Sequence, residues 1–466
     1  MRNKLIFLFT FLFFAFLTAF SLHIPFFWDG IFFSESAVHF FENGSDNFIT
    51  PIQVDTGGFP LYPIYLSVAW KVLGKTLLIS HLAMFPFLIG IAYEYYKLAK
   101  RFLNDSMLPF AMVLLVVEPT FITQSILMGY DILMVYFFLL ALNSLLRKNQ
   151  LLYSVALTLL CLSSMRGIML GISLFILDII LNSVFEKKIN IKIFSYVSAL
   201  VAVLFWAFYH HQKTGWFFFS PERENNHEAL VSVSMMFRQF VFIVWKISDL
   251  GRIVLWVVFI FGCYYFYKKH KGFEFKKIVI IVLIPLLILI CFMVPLSNPI
   301  GHKYFIVTFL SLNIGVCYLL QQVKTKKMQI GFLLFFCIMM VSGNFWIYPQ
   351  RFGNAWDSSL KVIPYFDLQK KMDDYILNEK ISEKEIGTQF PLIADNRYTY
   401  LENTSYKYSD WQKNSSINFK YMLLSNVINT DSPEQFEKIR SDWKLIKELK
   451  SGQLTISLYE NPLFNL

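Results

Sequence analysis

Apolar runs about as long as a bilayer is thick recur along most of this 466-residue chain, and a helix needs roughly twenty such residues to cross hydrocarbon. Inside a bilayer every backbone N–H and C=O must be satisfied within the segment, so a chain written this way folds as a bundle of membrane helices. The runs lie at residues 5–25, 78–98, 108–123, 126–146, 151–165, 168–181, 193–209, 253–267, 278–294, 304–320 and 330–348, some split by a polar residue. They predict a polytopic α-helical membrane protein with about eleven spans. Composition agrees: 56% of residues are hydrophobic, 51 are Phe and 16% are charged, which excludes disorder, collagen-like repeats and disulfide-stapled scaffolds. The five cysteines all fall in apolar runs without the close spacing of a zinc or redox site and read as buried thiols.

Basic residues gather at alternate turns, at Arg2/Lys4, Lys97/Lys100/Arg101, Arg147/Lys148, Lys187/Lys188/Lys192, Lys268/Lys269/Lys271/Lys276/Lys277 and Lys324/Lys326/Lys327. Under the positive-inside rule these turns are cytoplasmic, which accounts for the net charge of +10 without a nucleic-acid partner. The first run lacks a small-residue cleavage site behind it and is read as an anchor, not a signal peptide. The two short runs at 151–165 and 168–181 are kept separate, because merging them reverses every later loop against the charge pattern. The expectation is an integral plasma (inner) membrane protein with a cytoplasmic N-terminus and an extracytoplasmic, periplasmic C-terminus. Residues 1–349 form the membrane domain, with an outer loop at 26–77. Residues 350–466 have the composition of a small soluble α/β domain: an amphipathic helix over 358–377, a helix start at Thr430–Gln435 with Ser432 as cap, and a hairpin about Ser451-Gly452. That domain reads as a packing or acceptor-recognition module.

An ionisable group against a membrane span is costly unless paired or hydrated, and so is a functional candidate. "FFWDGIFFSESAVHFFENG" sets Asp29 directly after the first span, with Glu35 and His39 four residues apart on an interfacial helix, and Asp55 precedes "GGFPLYP" and a second surface helix. No Lys or Arg lies between Trp28 and Gly58 to neutralise these acids. Arg166 stands alone between two apolar stretches and needs an anion, from lipid headgroups or from a substrate phosphate. His302 and Lys303 follow "SNPIG" and read equally as interfacial anchors or cationic contacts. Asp131 reads equally as a helix cap or as support for Asp29. His210 and His211 have no acid at ligand spacing and read as interface histidines.

Taken in order, "WDG", "GGFPLYP", "GYDILMVYFFLLAL", "SSMRG" and "GHKYFIVTFLSL" resemble the GT-C membrane glycosyltransferases, in the branch of protein O-mannosyltransferases and the aminoarabinose transferase. Asp29 matches the acid that follows that family's first span, but Gly30 replaces a second acid and Phe59 a histidine. The resemblance implies transfer of a sugar from a polyprenyl-phosphate donor to a lipid, glycan or protein acceptor on the outer face. Such transfer needs a base for the acceptor proton and cations for the departing phosphate. It implies Asp29 as base, Glu35 and Asp55 as acceptor-orienting residues or holders of a divalent cation, Arg166, His302 and Lys303 as contacts of the donor phosphate, and Asp131 as support. A transporter or flippase is the competing reading, but repeated halves and charged or broken mid-span segments are not evident; a non-catalytic envelope-assembly descendant is the third. The sidedness is checked with a reporter that is active only in cytoplasm, fused after Leu466, which is expected to stay silent.

Overall fold

The computed structural model describes residues 2–44, 47–185, 192–218, 229–268, 273–348, 355–412, 419–428 and 433–464. Of the positions named above, Lys187/Lys188, Lys269/Lys271 and the 430–432 helix start lie outside the described residues. Helix α1, Arg2–Ser21, is followed after a short turn by α2, Asp29–Asn43, and then by α3, Leu61–Leu73. At 13 residues, α3 is about 20 Å long, too short to cross a bilayer. It packs along α2 and buries Trp70 between them, where the indole meets Phe26 and Phe41 edge-on. Helix α4 is Leu77–Phe102.

The run at 108–123 departs from expectation. It breaks into α5, Leu108–Val116, and α6, Pro119–Ile126, bent by 55°. Pro119 has no N–H to continue α5, and the Glu118 side chain instead accepts from the Phe121 amide at 2.5 Å to start a new helix. All eight residues of α6 are buried, so this short helix is part of the interior. The following run begins as α7, Asp131–Leu146.

Residues 151–165 and 168–181 are two packed helices, α8 (Gln150–Ser163) and α9 (Met165–Ile180), not one. Ser164 is extended, and its hydroxyl accepts from the Gly167 amide at 3.0 Å, ending one helix and capping the next. Gly167 and Gly171, one turn apart, let α9 lie directly on α8: a Cβ at Gly167 would come within 2.0 Å of the Leu160 carbonyl oxygen, and one at Gly171 within 2.7 Å of Cys161. Small residues at this spacing are how membrane helices approach closely.

Helix α10, Ile193–Thr214, and the amphipathic α11, Val233–Ser248, precede α12, Ile253–Lys268, and α13, Phe273–Met293. A 3-10 turn at His302–Phe305 leads into α14, Ile306–Leu320, and α15 is Lys326–Gly343. Among the described residues six helices are long and apolar enough to span, seven if the bent α5–α6 pair counts as one span.

The C-terminal region holds α16 (Ile363–Asn378), β1 (Ile386–Thr388), α17 (Asn396–Thr399), β2 (Ser409–Asp410), β3 (Tyr421–Ser425), α18 (Pro433–Asp442), β4 (Lys444–Ser451) and β5 (Leu454–Glu460). The sheet order is β2-β1-β3-β5-β4, parallel on the β1 side and antiparallel from β3 onward. The expected hairpin is β4–β5, turning at Gly452 with φ +59°. Met372 and Ile376 of α16 are buried together with Leu423, Ile456 and Leu458 of the sheet. This module rests on the bundle, with α17 against α2 and Trp356–Ser358 against α6.

A Gly167→Ala substitution must push α9 off α8, and overpacking of this kind costs about 1–3 kcal/mol. Thermal unfolding in detergent should show that loss, whereas Gly331→Ala, where a Cβ meets nothing within 4 Å, should leave the transition in place.

Candidate active site

Two strained turns shape the cleft. Trp28 holds φ +50° and Met128 φ +54°, a left-handed backbone that costs a side-chain-bearing residue of order 1–3 kcal/mol. The first turns the chain so that Asp29 opens α2; the second turns it from α6 into Gly129, Tyr130 and Asp131 at the head of α7. Between them lies a cleft lined by Asp29, Gln124, Tyr130, Asp131, Lys303 and Asp357 among others.

Lys303 is the centre of the cleft. Its ammonium lies 2.8 Å from Asp29 Oδ2 and 2.8 Å from Asp357 Oδ2, with the lysine side chain 6% exposed, Asp29 39% and Asp357 21%. Asp357 comes from the C-terminal region, on the short 3-10 turn Trp356–Ser358. Burial pushes its carboxyl up, but the Lys303 ammonium and the Ser358 hydroxyl, 2.9 Å from Oδ1, outweigh this and hold it below the ordinary carboxylate range. α6 fixes the same turn: Gln124 Nε2 donates to the Asp357 carbonyl at 2.6 Å and the Thr120 hydroxyl to the Ser358 carbonyl at 3.2 Å.

Behind the cleft Arg166 is paired, which corrects the expectation that its anion must come from a lipid or a substrate. Nη1 donates to Asp131 Oδ1 at 2.5 Å and Nη2 to the Tyr130 hydroxyl, and the guanidinium lies 3.8 Å from the Tyr304 ring centroid. Asp131 is fully buried and supports Arg166, not Asp29; its Oδ2 has no partner among the described residues.

The adjacent His302 faces away from the cleft, because consecutive residues of a 3-10 turn point in different directions. Its Nε2 lies 2.8 Å from Asp249 Oδ2, and the Tyr348 hydroxyl donates to Asp249 Oδ1 at 2.5 Å. Burial raises the Asp249 carboxyl, but His302 and Tyr348 bring it below its ordinary value. His302 is therefore not grouped with Lys303 in the lining of the cleft. Glu35, farther along α2, faces the C-terminal module, where burial and the nearby Asp395 raise its carboxyl against the opposing pull of Lys407. Asp55 is also outside the cleft: Oδ2 lies 2.8 Å from His210 Nε2, and Oδ1 accepts the Gly57 amide at 2.8 Å. His210 thus has an acidic partner that sequence spacing did not suggest. Among the described residues no three His, Cys, Asp or Glu side chains are grouped to hold a metal ion.

Of the expected residues the structure brings Asp29, Lys303 and Asp131 together at one cleft, with Arg166 paired to Asp131 behind it. Sequence reasoning missed Asp357, Tyr130, Gln124 and Tyr304. For Asp357 the sequence signal is slight: a Trp-Asp pair at 356–357 that repeats the one at 28–29.

The helix bundle with its small α/β module has an ArnT-like membrane fold. Two solved structures of ArnT from Cupriavidus metallidurans are similar over nearly their whole length. The one bound to undecaprenyl phosphate matches at TM-score 0.55 and 12% identity, over 98% of this chain and 97% of that one. The apo structure matches at TM-score 0.54 and 11% identity, over 95% and 96%. No protein-family model and no curated protein matches the sequence.

Removing Asp131 leaves the Arg166 guanidinium buried without its carboxylate, so Asp131→Ala should destabilise the protein by about 3–5 kcal/mol. Adding Arg166→Met should recover much of that loss in the same unfolding assay; additive losses would mean that the two side chains do not act as a pair.

Proposed function

We propose that this protein is a glycosyltransferase that moves a sugar from a polyprenyl-phosphate donor to an acceptor hydroxyl, with the cleft around Asp29 as its active site. The observation that carries the reading is the juxtaposition of a solvent-reachable carboxylate, Asp29, with a buried ammonium, Lys303, at 2.8 Å. Transfer needs both charges in one place. The acceptor oxygen attacks the anomeric carbon and forms the new C–O bond. The bond from that carbon to the phosphate oxygen breaks with its electron pair going to the phosphate, and the acceptor proton goes to Asp29. Lys303 stabilises the negative charge that collects on the departing phosphate. In an interior that excludes water such a cation is worth more than at an exposed surface.

The GT-C fold and its similarity to a protein crystallised with undecaprenyl phosphate support a lipid-phosphate donor. The mixed lining of the cleft supports it as well: the apolar Phe27 and Leu127 lie among its charged groups. Arg166 acts from behind, through the Tyr130 hydroxyl and the Tyr304 ring, to shape the floor on which the phosphate sits. The basic turns favour the extracytoplasmic face for the cleft.

Asp29→Asn keeps size and hydrogen bonding but cannot take the proton, so single-turnover sugar transfer from a panel of polyprenyl-phosphate sugars should fall by roughly a hundredfold or more. Lipid-phosphate binding should survive. Rates near those of the wild type would remove Asp29 as base.

A further inference from the structure

We infer that Asp357 is a positioning residue of this site, the fixed counter-ion that keeps Lys303 at the cleft while the arriving donor phosphate displaces Asp29 from it. The inference rests on the transferase reading for its consequence but not for its geometry. An ammonium has three N–H donors; the two carboxylates take two of them. They are held very differently. Asp357 is fixed from both sides: the Ser358 hydroxyl donates to its side chain, Gln124 to its carbonyl, Thr120 to the next carbonyl, and the neighbouring Trp356, 3% exposed, donates its indole N–H to Asn426 O at 3.1 Å. Asp29 sits at the open first turn of α2, nearly twice as exposed, and the side-chain hydrogen bond described for it is the one to Lys303.

Three carboxylates, Asp29, Asp131 and Asp357, and one cation, Lys303, line this cleft; Arg166 is paired to Asp131 behind it, and the buried Lys246 lies within electrostatic reach of Asp357. A phosphate entering so acidic a place must replace a carboxylate at one of the cations. Arg166 is sealed against Asp131, so the replaceable contact is Lys303 to Asp29. Once the phosphate occupies that N–H, Asp29 is released from Lys303 and its carboxylate is free to face the acceptor hydroxyl. Donor binding and release of the base are then one event. The C-terminal module is a working part of the site, since Asp357 comes from it and its Thr399 carbonyl also accepts the Phe26 amide at 3.0 Å just before Asp29.

Two measurements on the purified full chain test this. The first needs no substrate: the rate at which a water-soluble acylating reagent modifies Lys303, followed by mass spectrometry. Freed from its fixed partner, the flexible lysine should react at least about fivefold faster in Asp357→Asn, and near the wild-type rate in Asp357→Glu. An unchanged rate in Asp357→Asn overturns the positioning role whatever the activity does. The second is kinetic. Asp357→Asn leaves Lys303 to Asp29 alone, so kcat should fall about tenfold or more while binding of undecaprenyl phosphate stays within about threefold. Asp357→Glu should restore kcat. Parallel loss of kcat, lipid binding and thermal stability in Asp357→Asn means a structural residue and overturns the inference. If labelling responds as expected but the wild-type protein transfers no sugar from any polyprenyl-phosphate donor, the positioning role stands and the transferase reading falls.

Discussion

A lysine ammonium taken out of water costs several kcal/mol unless it is met by opposite charge in good geometry, and Lys303 is met twice. Asp29 reaches it from the turn behind the first helix and Asp357 from the start of the C-terminal module, each at 2.8 Å. Three distant parts of the chain are therefore held in register by one side chain. Remove either carboxylate and the lysine keeps a partner; remove the lysine and two acids face each other across a partly buried cleft. The α6 helix, the strained turns at Trp28 and Met128 and the seating of the module on α2 all serve that arrangement, because each fixes one of the groups around it.

Other buried polar pairs surround the same end of the bundle. Arg252 is ion-paired to Glu118 and bonded to Thr120 at the α5–α6 break, Arg166 is ion-paired to Asp131, and His302 is hydrogen-bonded to Asp249. Buried pairs are weak sources of net stability, because desolvation offsets most of their attraction. Their value here is geometric. The Glu118 pair fixes where α5 ends and α6 begins, with the Arg252 guanidinium 3.8 Å from the Phe309 ring centroid. α6 can then present Thr120 and Gln124 to the Asp357 turn. An apolar replacement for Glu118 and Arg252 could be as stable, but it would not define the bend that these two hydrogen bonds require.

The helices were legible because hydropathy is a local property: each apolar run contains helix, though among the described residues six or seven helices, not eleven, are long and apolar enough to span, and the Gly167–Gly171 spacing explains why two short runs pack as a pair. The break at Pro119 was written in the sequence too, as a Glu-Pro step inside an apolar run. The partnerships were not legible. Arg166 looked unpaired because Asp131 is 35 residues away, and the loop of Asp29 looked free of cations because Lys303 is 274 residues away. Sequence spacing reports the neighbours of one helix turn or strand, whereas these pairs are made by folding the bundle. Glu35 and Asp55 show the converse. Both looked like members of the Asp29 site because they share its loop, yet the α2 helix points Glu35 at the module and the link to His210 draws Asp55 toward α10.

Exposure across the cleft then becomes informative. The gradient runs from the half-open Asp29 through Asp357 to the buried Lys303, Arg166 and Asp131. A lipid-phosphate donor has matching requirements: its chain stays in hydrocarbon, its phosphate needs cations out of bulk water, and the acceptor must arrive from the aqueous side. An exposed lysine would bind phosphate weakly against solvent, and an unpaired buried one would lose its proton. On the proposed reading, pairing Lys303 with one fixed and one replaceable carboxylate avoids both problems, since the cation stays charged before a donor arrives and still has an attachment to give up when it does.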